Sequence, residues 1–252
     1  MMKKYLLTLI AILCLFTAAQ SQSYYFGFKG GLTISTQKWG QSYSRSPLWR
    51  YHAIAFIESA PEDNAFGLFA QFGYHVKGSQ IRTNATTIFV GGIPRNIPAR
   101  STPFLFNNLS LTLGAKQKFD VGGGHTKMYY LFGIRGDYTL STQLRPEGID
   151  ENNICHIAIY PLDRYVKDFV FGMTAGGGFE FPFSEYVGGL IEFTVNPDFT
   201  PQYDSPPIPN DLCTSPGNPS TIREIQIRTI TFEVTFGIRF LHKIEYIDTS
   251  FF

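Results

Sequence analysis

The sequence predicts an all-β protein, an eight-stranded antiparallel up-and-down transmembrane β-barrel, and three observations carry that prediction. The first is alternation, clearest in the run 229–241, TITFEVTFGIRFL. Ile230, Phe232, Val234, Phe236, Ile238 and Phe240 fall on one face, and Thr229, Thr231, Glu233, Thr235, Gly237 and Arg239 on the other. Successive strand side chains point to opposite sides, so such a strand is apolar on one face and polar or small on the other. The second is repetition: the pattern recurs about eight times, as an apolar outside and a polar inside require. The third concerns helices. Beyond the N-terminus no segment approaches the roughly 18 consecutive apolar residues of a spanning helix. A membrane reading must then be a closed barrel, which satisfies its backbone in lipid without an edge.

Composition agrees. The 252 residues allow one barrel or two small domains. The 24 Phe, 14 Tyr and 24 Gly suit aromatic belts and closely packed strands. A net charge of +1 makes no electrostatic case for nucleic acid or another polyanion. Mean hydropathy is close to zero, as expected when half of each strand faces lipid.

Residues 1–21 read as a secretory signal peptide, with Lys3 and Lys4 before an apolar stretch and small residues after it. Residues 22–252 are then the barrel domain. Leu13 precedes Cys14 where a lipoprotein signal wants a small residue, so no lipid anchor is expected. The expected strands are 24–35, 51–59, 65–82, 103–119, 128–141, 169–181, 187–196 and 229–241. The first puts Phe26, Phe28, Leu32 and Ile34 outward; the third does the same with Leu68, Phe72, Tyr74 and Val76. Residues 37–50 read as a polar loop carrying Trp39 and Trp49. The Pro-rich stretch 197–224 cannot be a strand throughout.

Connections alternate between short (after strands two, four and six) and long, the asymmetry of outer-membrane barrels with periplasmic turns and extracellular loops. Aromatics gather at the expected periplasmic end: Tyr24, Phe26, Phe56, Phe66, Phe119, Tyr129, Tyr130, Phe181, Phe183, Tyr186 and Phe240. A soluble lipocalin-like barrel would turn the apolar face inward. It leaves both regularities unexplained.

Four segments resemble the PorT-like family of Bacteroidetes outer-membrane β-barrels. FGFKGGLTIST (26–36) resembles its opening strand, and LFAQFGYHVKGSQIR (68–82) its third, with Gln71 and Phe72 where an acidic-apolar pair is usual. NNLSLTLGAKQKF (107–119) resembles the fourth strand without its proline near Ser110 and Leu111, and GMTAGGGFEF (172–181) the Gly-rich sixth. The resemblance spans the mature chain and implies a barrel. One branch of the family is an accessory component of type IX protein secretion and gliding, while most members have no assigned activity.

The candidate site is the set of inward charges: Lys29, Lys77, Lys116, Arg135, Asp137, Glu180, Glu192, Glu233 and Arg239. An eight-stranded barrel is wide enough only for side chains to fill it. Two readings follow, a salt-bridged plug and a narrow ion pathway. His75 with Ser79, and His52, are the residues a lipid A-modifying enzyme would need, although spacing alone makes no catalytic pair. The glycine runs 122–124 and 176–178 lack phosphate-loop spacing. No cofactor or metal motif is present. Cys155 and Cys213 fall in neighbouring long loops and are either a disulfide or two thiols. Loop residues Trp39, Trp49, Ile88, Phe89, Val90, Ile157, Ile159 and Tyr160 either bind a partner or pack together. The expectation is a non-enzymatic outer-membrane protein in contact with lipid and with other outer-membrane or secretion-system proteins. A small-solute channel and a lipid A-modifying enzyme are the alternatives.

Overall fold

The computed structural model describes residues 23–39, 45–60, 66–83, 85–90, 93–97, 99–121, 126–144, 162–209 and 221–243. Residues 1–21, expected to be a signal peptide, the loop residues Ile157, Ile159 and Tyr160, and both loop cysteines lie outside them. Among the described residues there are thirteen strands: β1 (Tyr24–Trp39), β2 (Arg45–Ser59), β3 (Gly67–Thr83), β4 (Thr86–Val90), β5 (Ile93–Ile97), β6 (Arg100–Asp120), β7 (Lys127–Gln143), β8 (Phe169–Pro182), β9 (Val187–Pro197), β10 (Tyr203–Ser205), β11 (Ile208–Pro209), β12 (Thr221–Ile222) and β13 (Ile225–His242).

Eight of them close a ring in the order β1-β2-β3-β6-β7-β8-β9-β13, with every neighbour antiparallel. The closing seam, β1 on β13, runs in unbroken register from Tyr24↔His242 to Trp39↔Ile227. Closure leaves no long edge among these eight, which lipid demands. The tight curvature uses glycine. A Cβ on Gly31 would lie 1.9 Å from the Val234 carbonyl oxygen, closer than non-bonded atoms can approach.

The ring is inside out relative to a water-soluble protein. Phe28, Leu68, Ile134 and Phe169 are 65–68% exposed, within a belt of thirty exposed large apolar side chains among the described residues. A soluble monomer rarely exposes apolar patches of more than a few hundred Å². At the turn end Phe26 packs on Phe240 and Phe119 on Tyr130, ring centroids 5.6 and 5.5 Å apart, within an aromatic girdle completed by Phe66, Phe183 and Tyr186. Phe56 and Tyr129 are corrections: both point into the lumen, 8% and 2% exposed. On β2 the small residues Ala53 and Ala55 face out and the larger Ile54 and Phe56 face in, so residue size misleads there.

Several strands outrun their expected ends. β1 continues through Trp39 and β2 begins at Arg45, so Trp39 and Trp49 stand on strands rather than in a loop. β4 and β5 pair as a separate hairpin in the third connection. Between Pro47 and His52, β2 sets four residues against the three of β3 (Val76, Lys77 and Gly78), a β-bulge. Ser35 of β1 repairs the gap, donating to the Gly78 carbonyl (2.7 Å) and accepting from the Gly78 amide (2.8 Å). Val76, expected on the lipid face, is buried beside this bulge.

Candidate functional site

Inward positions stack into layers, beginning at the turn end. There Glu58 of β2 and Glu180 of β8 meet Lys116 and Lys118 of β6 and Arg239 of β13. Lys116 bonds Glu58 at 2.9 Å and Glu180 at 2.6 Å, Lys118 reaches them at 2.5 and 3.1 Å, and Arg239 bonds Glu180. Aromatic faces complete the layer. Tyr129 lies under the Lys116 ammonium at 3.7 Å, and Tyr25 lies beneath both Lys118 and Arg239. Cations over ring faces are attracted by the ring quadrupole. Above this, Lys29 of β1 pairs with Glu192 of β9, whose second oxygen accepts from the Tyr129 hydroxyl at 2.9 Å.

Mid-barrel, His75 contacts Glu233 at 2.8 Å, and the His52 ring stacks on it at 5.4 Å. The next layer holds Lys77, Arg135, Asp137 and Asp198. Arg135 reaches Asp137 at 3.1 Å and Asp198 at 2.5 Å; Lys77 bonds both carboxylates, and Ser110 donates to Asp137. Six cations (Lys29, Lys77, Lys116, Lys118, Arg135 and Arg239) thus share the lumen with six carboxylates (Glu58, Asp137, Glu180, Glu192, Asp198 and Glu233). The formal charges cancel. Unpaired, each ion would cost several kcal/mol.

The loop end is different again. Trp39, Ile81, Phe104, Phe106, Leu144, Leu162, Tyr203, Ile225 and Ile227 form a buried apolar cluster inside the mouth. The segment following β9 builds part of it. Backbone bonds from Asp198 to Thr229, Phe199 to Phe171 and Gln202 to Ile227 fold this chain across the opening. Gln202 then donates to Asn108 at 2.8 Å, and Tyr203 accepts from the Leu162 amide at 3.1 Å. Burial pushes the Tyr203 phenol up to about 12, so it stays neutral. Trp39, read from sequence as a loop aromatic, is 8% exposed and stacks edge-on against Phe104.

All nine residues expected to charge the lumen are brought into these layers. Glu58, Lys118 and Asp198 belong with them and were missed as members. Lys118 shared their strand parity and was legible. Glu58 was obscured by the apolar inward residues beside it on β2. Asp198 arrives from a Pro-rich loop, and nothing local announces it. The pair suggested for catalysis does not meet: the Ser79 hydroxyl donates to Gln37 at 2.8 Å while His75 binds Glu233, and both are buried inside the barrel.

No protein-family model and no curated protein matches the sequence. Among solved structures, the outer membrane protein OprG from Pseudomonas aeruginosa is 8% identical, with a TM-score of 0.47, over 87% of this chain and 96% of its own. Neisserial surface protein A is 10% identical, with a TM-score of 0.44, over 86% and 96%. The Ail protein of Yersinia pestis, solved with the heparin analogue sucrose octasulfate, is 11% identical, with a TM-score of 0.37, over 87% and 99%. The apolar belt, the aromatic girdle, the closed even-numbered ring and the charge-filled interior make this chain an outer-membrane β-barrel protein.

Proposed function

We propose that the protein is a non-enzymatic, non-conducting scaffold of the outer membrane that presents its loop end to a protein partner. The observation that carries this reading is the double closure of the lumen, by layered ion pairs below and an apolar cluster above. Ions crossing such an interior would have to break buried pairs and then pass a dry mouth. What remains accessible is the loop end, where the β4–β5 hairpin and strands reaching past the belt form a rigid platform for recognition.

The finer form of the proposal is an accessory role in type IX protein secretion, within the PorT-like family. Its support is the sequence resemblance of 26–36, 68–82, 107–119 and 172–181. Two measurements test the reading. Purified protein in planar bilayers should give no steps of conductance, and steady ion current would end the scaffold idea. Cross-linking in intact cells, followed by identification of the attached proteins, should yield components of the secretion apparatus. Recovery of the barrel alone would remove the secretion role.

A further inference from the structure

At mid-height in the lumen, side chains from three strands converge: His52 of β2, His75 of β3 and Glu233 of β13. One ligating atom from each lies within 4.8 Å of the others, and all three residues are buried. We propose that they form a structural site for a divalent first-row transition metal, zinc by preference.

Charge is the first argument. Every other carboxylate in the lumen touches a lysine or arginine, whereas Glu233 meets a histidine and two hydroxyls among the described residues. The lumen's formal charges balance as a whole, but among the described residues Glu233 is the lumen carboxylate with no lysine or arginine against it. Second, the ligands are held in place by partners of their own. The His52 ring nitrogens meet Thr33 and Thr235, each at 2.9 Å, so binding a metal exchanges one of these contacts and the other stays to hold the ring. Glu233 takes the Thr33 hydroxyl on one oxygen at 3.5 Å and the Thr194 hydroxyl on the other at 3.4 Å. Such outer hydrogen bonds fix ring orientation and raise ligand basicity at metal sites.

Third, there is room. A cavity of about 10 Å³ adjoins His75 and Glu233, though not His52, and is lined also by Gln71, Thr112, Thr194 and the Arg135 guanidinium, which Asp137 and Asp198 neutralise. That volume is about one water, which would fill the fourth position that three protein donors leave open. Two imidazoles and a carboxylate are a zinc donor set, with bonds of about 2.0–2.2 Å. Tetrahedral bonds of that length put ligand atoms roughly 3.4 Å apart. The observed spread therefore needs only small side-chain rotations.

Placement also says when the ion enters. The Lys77–Arg135 layer seals the site from above and the Lys29–Glu192 pair from below. Glu233 sits on the strand whose pairing with β1 closes the ring, so closure carries it to the two histidines. The metal is taken up as the barrel folds and then clamps β13 to β2 and β3.

The test is to fold the full mature chain in detergent with zinc, remove free metal with a chelator and measure zinc by mass spectrometry. Heat-modifiable electrophoretic mobility reports folding in parallel. We expect about one zinc per folded chain, retained until thermal unfolding, and at least about a tenfold loss in His75→Asn and Glu233→Gln. Folded wild-type protein without zinc, or folded variants that keep it, would overturn the proposal. Where a variant does not fold, cobalt in the wild-type protein decides. Tetrahedral ligand-field bands support the site; an aqua-ion spectrum or none refutes it.

Discussion

The lower lumen and the mouth are lined by the same strands yet obey opposite rules. On β13 the inward residues Thr229, Thr231 and Glu233 are polar, and the outward Ile230, Phe232 and Val234 are apolar. Immediately nearer the loop end, from Arg228 on, the faces exchange: Ile225 and Ile227 are buried in the apolar cluster, while Gln226 and Arg228 are exposed. β3 does the same, with Lys77 and Ser79 giving way inside to Ile81, and Phe72 giving way outside to Arg82. The physical cause is the medium outside. Where lipid surrounds the ring, the apolar face goes out; where water does, it goes in. From Ile230 to Phe240, ten steps at about 3.3 Å and a tilt near 40° give roughly 25 Å, the height of an outer-membrane apolar band. The exchange of faces therefore marks where the barrel leaves the membrane.

Breaking each region in turn should separate them. Glu180→Ala leaves Lys116, Lys118 and Arg239 facing Glu58 alone, and should cost about 3–5 kcal/mol, the range for orphaning buried charge. Urea unfolding in lipid vesicles measures it, as a loss shared by the whole ring. Phe104→Ala, at a residue with no exposed surface, should loosen the apolar cluster it empties by about 3–5 kcal/mol, with much less of that loss reaching the unfolding of the ring. Its signature is local, however: protease should cut within 198–209 while the ring stays folded. Equal global loss from both changes would contradict the division.

A smaller effect sharpens the boundary itself. Phe232→Arg, on the lipid side of the exchange, should cost about 2–4 kcal/mol, whereas Arg228→Ala, on the water side of the same face, should stay within about 0.5 kcal/mol. Vesicle unfolding of both variants checks the contrast, and comparable costs would place the boundary elsewhere.

That boundary also explains what the sequence revealed. Within lipid the alternation is nearly unbroken, so the eight barrel strands, their order and all nine expected lumen charges were legible. Beyond it the pattern reverses. Gln37, Lys38 and Trp39 then look like a polar loop with a stray aromatic, although they continue β1 with Trp39 in the apolar cluster. Asp198 and Gln202 were illegible for another reason: backbone bonds to distant strands put them in the lumen, and no local periodicity encodes those. The His52, His75 and Glu233 group lies on three strands, with Glu233 158 residues beyond His75, so no ligand spacing exists to be read.

The bulge in β2 is where the two regions join, and Ser35 is its test. Its hydroxyl satisfies both backbone groups of Gly78 that β2 leaves unpaired. Ser35→Ala removes a single oxygen, yet it orphans a buried amide and a buried carbonyl together. Stranding such groups costs about 1–3 kcal/mol, less than the charge deletion because neither is ionised. The loss should come with faster amide exchange at Gly78. Ser35→Thr keeps the hydroxyl and should recover most of the stability. If Ser35→Ala unfolds like wild type with Gly78 still protected, the bulge is held by the flanking ladder instead, and the junction between lumen and mouth needs no help from β1.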